Sequence, residues 1–155
     1  MDPVLASRLG QDLADALRPV VGDELPSAVV APALGGVIVS HEVGRGFGCR
    51  AVFTERQEGE MLLRRGFGLE PGEPVVVVED VITTGRSTRE VLDAVGKTGA
   101  RVLAVGSIVD RSSPPPDFGV PYRSLLQVEV ATWPAAECPR CAEGSLPVKP
   151  GSRTG

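Results

Sequence analysis

The sequence predicts an α/β fold in which a doubly wound, mainly parallel five-stranded sheet is flanked by helices. Three observations predict it. Val75-Val76-Val77-Val78 is an unbroken apolar run with no polar alternation, as expected of a strand buried on both faces. Strand-like and helix-like segments alternate along the chain, which argues for parallel strands joined by right-handed crossovers. The valine run also ends in Glu79-Asp80 and a Gly/hydroxyl turn that opens a helix. Open parallel sheets bind ligands at such strand ends.

Asp2 and Pro3 suit the N-cap and first position of a helix, and Leu5, Leu9, Leu13 and Leu17 recur on one face of it. Ser27 to Ala31 reads as a short buried strand, followed by a turn over Pro32 to Gly36 and a helix from Val37 to about Arg45. Ala51 to Thr54 is the second strand. Residues 55–74, with Arg56, Glu58, Glu60, Arg64, Arg65 and several glycines, read as an exposed loop or ribbon. Val75 to Glu79 is the third strand and Ser87 to Val95 its helix, stopped by Gly96 or Gly99. Arg101 to Val109 and Tyr122 to Val130 complete the five. From Trp133 onward Pro, Gly and small polar residues predict little regular structure, with partial disorder after about Lys149.

At 155 residues and 16.2 kDa the length fits one domain with a single core. A net charge of -4 without a Lys/Arg run excludes a nucleic-acid backbone as the expected partner. No segment approaches a membrane span and the N-terminus lacks the pattern of a signal peptide, so no membrane partner is expected and the cytoplasm is the expected location. The three cysteines, Cys49, Cys138 and Cys141, fit a reducing compartment. Cys138 and Cys141 have the spacing of half a zinc site, but a closed structural site takes about four ligands and no second pair follows. They read as a tail turn.

The turn after the third strand carries the chemistry. Thr83 to Thr88 combines hydroxyl donors, a glycine permitting close backbone approach, and the N–H groups of a helix start, which together suit a phosphate dianion. Glu79 and Asp80 stand where they can accept hydrogen bonds from the hydroxyls of the sugar bearing that phosphate. The plain alternatives are a capped helix start and a pair of surface acids.

Glu79-Asp80-Val81-Ile82-Thr83-Thr84-Gly85 resembles the phosphoribosyl-pyrophosphate (PRPP) loop of type I phosphoribosyltransferases, most closely that of orotate phosphoribosyltransferases. Ala31-Pro32-Ala33-Leu34-Gly35-Gly36-Val37 is similar to the family's pyrophosphate loop, and Ile108-Val109-Asp110-Arg111 to its base-proximal strand end. Glu137-Cys138-Pro139-Arg140-Cys141 is similar to a C-terminal stretch of some bacterial members. The likeness runs over roughly residues 4–149.

The resemblance implies a type I phosphoribosyltransferase core over residues 1–132, with 133–155 as an irregular tail. It implies that PRPP is bound by Glu79, Asp80, Val81, Ile82, Thr83, Thr84, Gly85, Arg86, Ser87 and Thr88, with Asp80 catalytic. Pyrophosphate falls to Leu34, Gly35 and Gly36, and because Gly35 stands where some orotate enzymes carry a lysine, backbone N–H groups carry more of that role. Orotate falls to Thr83 and Arg111, a guanidinium fork suited to a carboxylated ring. The neutral Thr83 stands where hypoxanthine-type enzymes place an acid, which disfavours a purine. Arg56, Arg64 and Arg65 flank the stretch similar to the family's mobile catalytic loop, and Arg56 and Arg64 are assigned to catalysis. Arginine there can neutralise pyrophosphate but not donate a proton, and the alternative is that these cations pair with Glu55, Glu58 and Glu60. His41, the only histidine, reads as structural or exposed.

The reaction implied is orotate plus PRPP giving orotidine 5′-monophosphate and pyrophosphate, with Mg2+ carried mainly on substrate oxygens rather than by protein ligands, and a homodimer whose loop serves the neighbouring site. Alternatives are a non-catalytic module sensing PRPP or a nucleotide, and a transferase for another base. Family members carry an N-terminal hood with aromatic and basic residues that closes over orotate. Met1 falls where a longer chain would run from hood to helix, so a hoodless chain, from a misplaced start or a truncated product, is expected here.

Overall fold

The computed structural model describes residues 2–146. Helix α1 (Pro3–Val21) is capped by the Asp2 carboxylate, which accepts from the Val4 and Leu5 N–H groups at 2.9 and 3.2 Å. Then follow β1 (Ala28–Pro32), α2 (Gly35–Phe47), β2 (Arg50–Gln57), β3 (Glu60–Leu63), β4 (Pro74–Ile82), α3 (Arg86–Thr98), β5 (Arg101–Asp110) and β6 (Tyr122–Gln127). A 3-10 turn at Ala135–Glu137 and the one-turn helix α4 (Pro139–Ala142) close the described chain.

The sheet has six strands in the order β3-β2-β1-β4-β5-β6, all parallel except β3. The expected doubly wound parallel architecture is present, and β3 is the addition to the five strands read from sequence. Residues 55–63 are a hairpin, the ribbon of the two forms expected for this stretch. Its turn places Glu58 and Gly59 at φ 51° and 92°, the conformation of a tight two-residue hairpin, and pairs Gln57 with Glu60. Charged side chains on this edge hid the strand, because edge strands tolerate charge that a central strand would not. At the other edge β6 stops at Gln127, three residues short of the expected end. The tail gains the short helix at Pro139–Ala142, and its two cysteines, Cys138 and Cys141, stay free thiols, as does Cys49. The expected disorder after Lys149 lies outside the described residues.

Val75 to Val78 are fully buried because both sheet faces are covered. On one face Val76 and Val78 pack with Leu13, Leu17 and Val43 of α1 and α2; on the other Val75 and Val77 pack with Val91 and Val95 of α3. Each fully buried valine is worth about 1.5–3 kcal/mol relative to exposure, which fixes the strand that delivers Glu79 and Asp80.

Candidate active site

The chain winds from β1 through α2 to β2 on one side, and from β4 through α3 to β5 on the other. Winding therefore reverses between β1 and β4, and the carboxyl ends of these two strands open on one crevice. The turn after β1 forms one wall. It is pinned to β2 by the Ala33 N–H, which donates to the Thr54 carbonyl at 2.8 Å, and its Ala33–Leu34 peptide is cis. The turn after β4 forms the other wall. At Gly35 the walls meet: a Cβ there would lie 2.1 Å from Asp80 Oδ2, so only glycine permits this approach. Two segments singled out separately in the sequence are thus one site.

Glu79 is buried at the end of β4, and its Oε2 has no hydrogen-bond partner. Burial first, then hydrogen bonding and repulsion from the Asp80 carboxylate, push its carboxyl up to about 8. Asp80 is half-buried, and its Oδ1 accepts the Val81 N–H at 2.9 Å. Thr88 Oγ1 is a second buried polar atom without a partner. Glu79 and Thr88 line the same pocket, together with residues 81–87. Buried polar atoms ordinarily find partners, so two orphans facing one polar cavity mark a place built for a ligand's hydroxyls and anionic oxygens.

The pocket floor is the start of α3. Its N-cap is Gly85 in the left-handed region at φ 72°, and no side chain caps the helix. The first N–H groups are therefore left for an anion, apart from that of Arg86, which donates to Thr84 Oγ1 at 3.4 Å.

Arg111 and Thr83 stand on neighbouring strand ends. The Arg111 N–H donates to the Ile82 carbonyl at 2.8 Å, extending the pairing in which Ile82 faces Asp110. The Arg111 side chain borders a groove with Ser113 and residues 129–132, and Thr83 borders an adjoining groove with residues 112–117. Between them Asp110 is buried, accepting from the Ser112 N–H at 2.8 Å and from its hydroxyl.

The expected catalytic-loop arginines separate. Arg56 is not on a loop: it lies in β2, donates to the Gly59 carbonyl at 2.7 Å and pairs with Glu90 of α3. Glu90 also accepts from Arg86 Nε at 3.0 Å, and hydrogen bonds from Arg56 and Arg86 hold its carboxyl below the usual range. Arg65 forms the carboxylate pair considered for this stretch, with Glu55 at 2.8 and 2.9 Å. Arg64 is exposed and makes no ion pair among the described residues. His41 is exposed on α2, 4.0 Å from Glu42. Sequence reasoning missed Glu90 and Arg89; the only signal was the i, i+4 spacing of Arg86 and Glu90 on a helix face.

Comparison with known proteins agrees with this geometry. Residues 6–137 match the family model described as phosphoribosyl transferase domain. The orotate phosphoribosyltransferase of Heliobacterium modesticaldum is 54% identical over 152 residues, covering 98% of this chain and 78% of that protein. That of Acidithiobacillus ferrooxidans is 59% identical over 128 residues, covering 82% and 66% respectively. An adenine phosphoribosyltransferase crystal structure superposes with a TM-score of 0.67 over 81% of this chain and 82% of its own, at 16% identity, which speaks for the fold alone. With half its residues shared with curated relatives over nearly its whole length, and with the turn after β4 and its paired acids meeting the turn after β1 in one crevice, the chain belongs to the orotate phosphoribosyltransferase family.

Proposed function

We propose that the crevice between β1 and β4 transfers a phosphoribosyl group from PRPP to orotate, giving orotidine 5′-monophosphate and pyrophosphate. One observation carries the reading: Asp80 meets the Gly35 turn, beside a pocket that holds the orphaned oxygens of Glu79 and Thr88. The 5-phosphate fits the turn over residues 83–88 and the start of α3. The ribose hydroxyls fit the Asp80 carboxylate and the Glu79 carboxyl group, and the pyrophosphate fits the backbone of Leu34, Gly35 and Gly36.

Displacement at the anomeric carbon breaks its bond to pyrophosphate and forms one to a ring nitrogen of orotate, whose proton passes to the departing pyrophosphate or to water. Positive charge grows on the sugar as the leaving group departs, and the Asp80 carboxylate opposes that charge better in the transition state than in the ground state. Arg111 and Thr83, side by side at adjacent strand ends, suit the anionic ring. The carboxylate and hydroxyl oxygens present fit a hydrated Mg2+ carried on the sugar and pyrophosphate, and when bound it would neutralise leaving-group charge. Of the arginines assigned to the leaving group, Arg64 is open to that role, whereas Arg56 acts from the hairpin through Glu90. Homodimerisation, as the family resemblance implies, would set one chain's hairpin beside its partner's crevice.

The test is formation of orotidine 5′-monophosphate by the purified protein with PRPP, orotate and Mg2+. Turnover is expected, and Asp80→Asn should lower it on the order of tenfold or more, the loss of a charge-assisted hydroxyl bond of about 1.5–3 kcal/mol. Turnover of a purine but not orotate would overturn the substrate assignment, and PRPP binding without turnover would favour a sensing module.

A further inference from the structure

We propose that Arg89 is a positioning residue that, clamped with Phe118, sets the direction of a phosphate-binding N–H. This rests on the reading of the turn after β4 as the phosphate site. Arg89 Nη1 donates to the Thr84 carbonyl at 2.9 Å. Its guanidinium lies 5.4 Å from the centre of the Phe118 ring, and Nη2 faces the Asp117 carbonyl at 3.5 Å. Asp117 and Phe118 belong to the connection between β5 and β6, so one side chain of α3 ties the turn before its own helix to a loop 28 residues further along the chain.

Both anchors are themselves held. Phe118 stands edge-on to Tyr122, with centroids 5.3 Å apart at 86°, and the Tyr122 hydroxyl is hydrogen-bonded to Ser107 at 2.8 Å. The same ring closes over Gly85, where a Cβ would lie 3.0 Å from it. The Asp117 carboxylate in turn accepts the Gly119 N–H at 2.8 Å, which shapes the connection.

The consequence follows from peptide geometry. The Thr84 carbonyl and the Gly85 N–H belong to one planar trans peptide and point in opposite directions. A guanidinium gripping the carbonyl therefore directs the N–H away from Arg89, and Gly85 lines the phosphate pocket. Without the grip this peptide is free to rotate, because glycine on its C-terminal side accepts φ of either sign and no side chain caps α3. A charged donor on the carbonyl also polarises the amide and strengthens its N–H as a donor.

The experiment compares Arg89→Met, Arg89→Lys and Phe118→Leu with the unaltered protein. It measures ribose 5-phosphate affinity by calorimetry, KM for PRPP and for orotate, and the thermal midpoint. Arg89→Met is expected to weaken ribose 5-phosphate binding and raise KM for PRPP about tenfold, as for one lost hydrogen bond to a charged group, with KM for orotate within about twofold. Arg89→Lys should recover most of the loss, since an ammonium can still donate to the Thr84 carbonyl. Phe118→Leu should show about a threefold loss, the scale of an exposed cation–π contact. A folded Arg89→Met with unaltered ribose 5-phosphate affinity, or with equal rises in both KM values, would overturn the clamp alone. Should Arg89→Met not fold, Phe118→Leu decides by the same affinity. Failure of the unaltered protein to bind ribose 5-phosphate would remove the phosphate reading as well.

Discussion

Glu79 is a carboxyl group taken out of water without being given a cation. Burial and the Asp80 carboxylate raise its pKa from about 4.5 to about 8, so between those values the folded chain holds a proton that the unfolded chain has released. The contribution of Glu79 to the stability of the ligand-free protein then falls as pH rises from about 4.5 to about 8, since at this group the folded state binds more protons there. Glu79→Gln removes this titration. Its urea midpoint relative to the unaltered protein is expected to shift upward from pH 5 to pH 8, and parallel pH profiles would refute the assignment. The acidic pair was legible at this scale because four apolar residues precede it. The division of labour within the pair was not, because burial depends on which helices cover the strand end.

At the scale of elements, the turn after β1 and the turn after β4 are separate motifs that the sheet order makes one crevice. Gly35 is the point of contact. Gly35→Ala is expected to leave the thermal midpoint within a few degrees while cutting turnover on the order of tenfold or more, because the displaced Asp80 carboxylate can swing aside but no longer sits against the sugar. Steady-state rates beside thermal denaturation check this, and full activity would separate the two turns. Helices α1 and α3 and the central strands were readable from periodicity and from the valine run. Strand β3 was not, since Glu60 and its charged neighbours look like solvent-facing loop until the hairpin supplies a partner in β2. The partner of Arg56 was hidden for the same reason: a strand fixes it toward α3, where Glu90 takes it.

At the scale of the whole molecule, one sheet with α1 and α2 on one face and α3 on the other holds both crevice walls rigidly, while Arg64 projects outward on the connection after the edge hairpin. That arrangement fits the proposed use of a neighbour's cation, and sedimentation at micromolar concentration should give about twice the chain mass of 16.2 kDa. A purely monomeric species with full turnover would exclude a partner's arginine from the site. Among the described residues no helix is long and apolar enough to cross a membrane.

The helices, the central strands, the Gly/hydroxyl turn after β4 and the acids before it were determined by the sequence alone, because they depend on local periodicity and on residues adjacent in the chain. The approach of Gly35 to Asp80, the unpartnered oxygens of Glu79 and Thr88, and the capture of Arg56 by Glu90 were decided only by tertiary structure. Each joins residues from different elements or depends on what covers them, and no local pattern encodes a distance across a sheet.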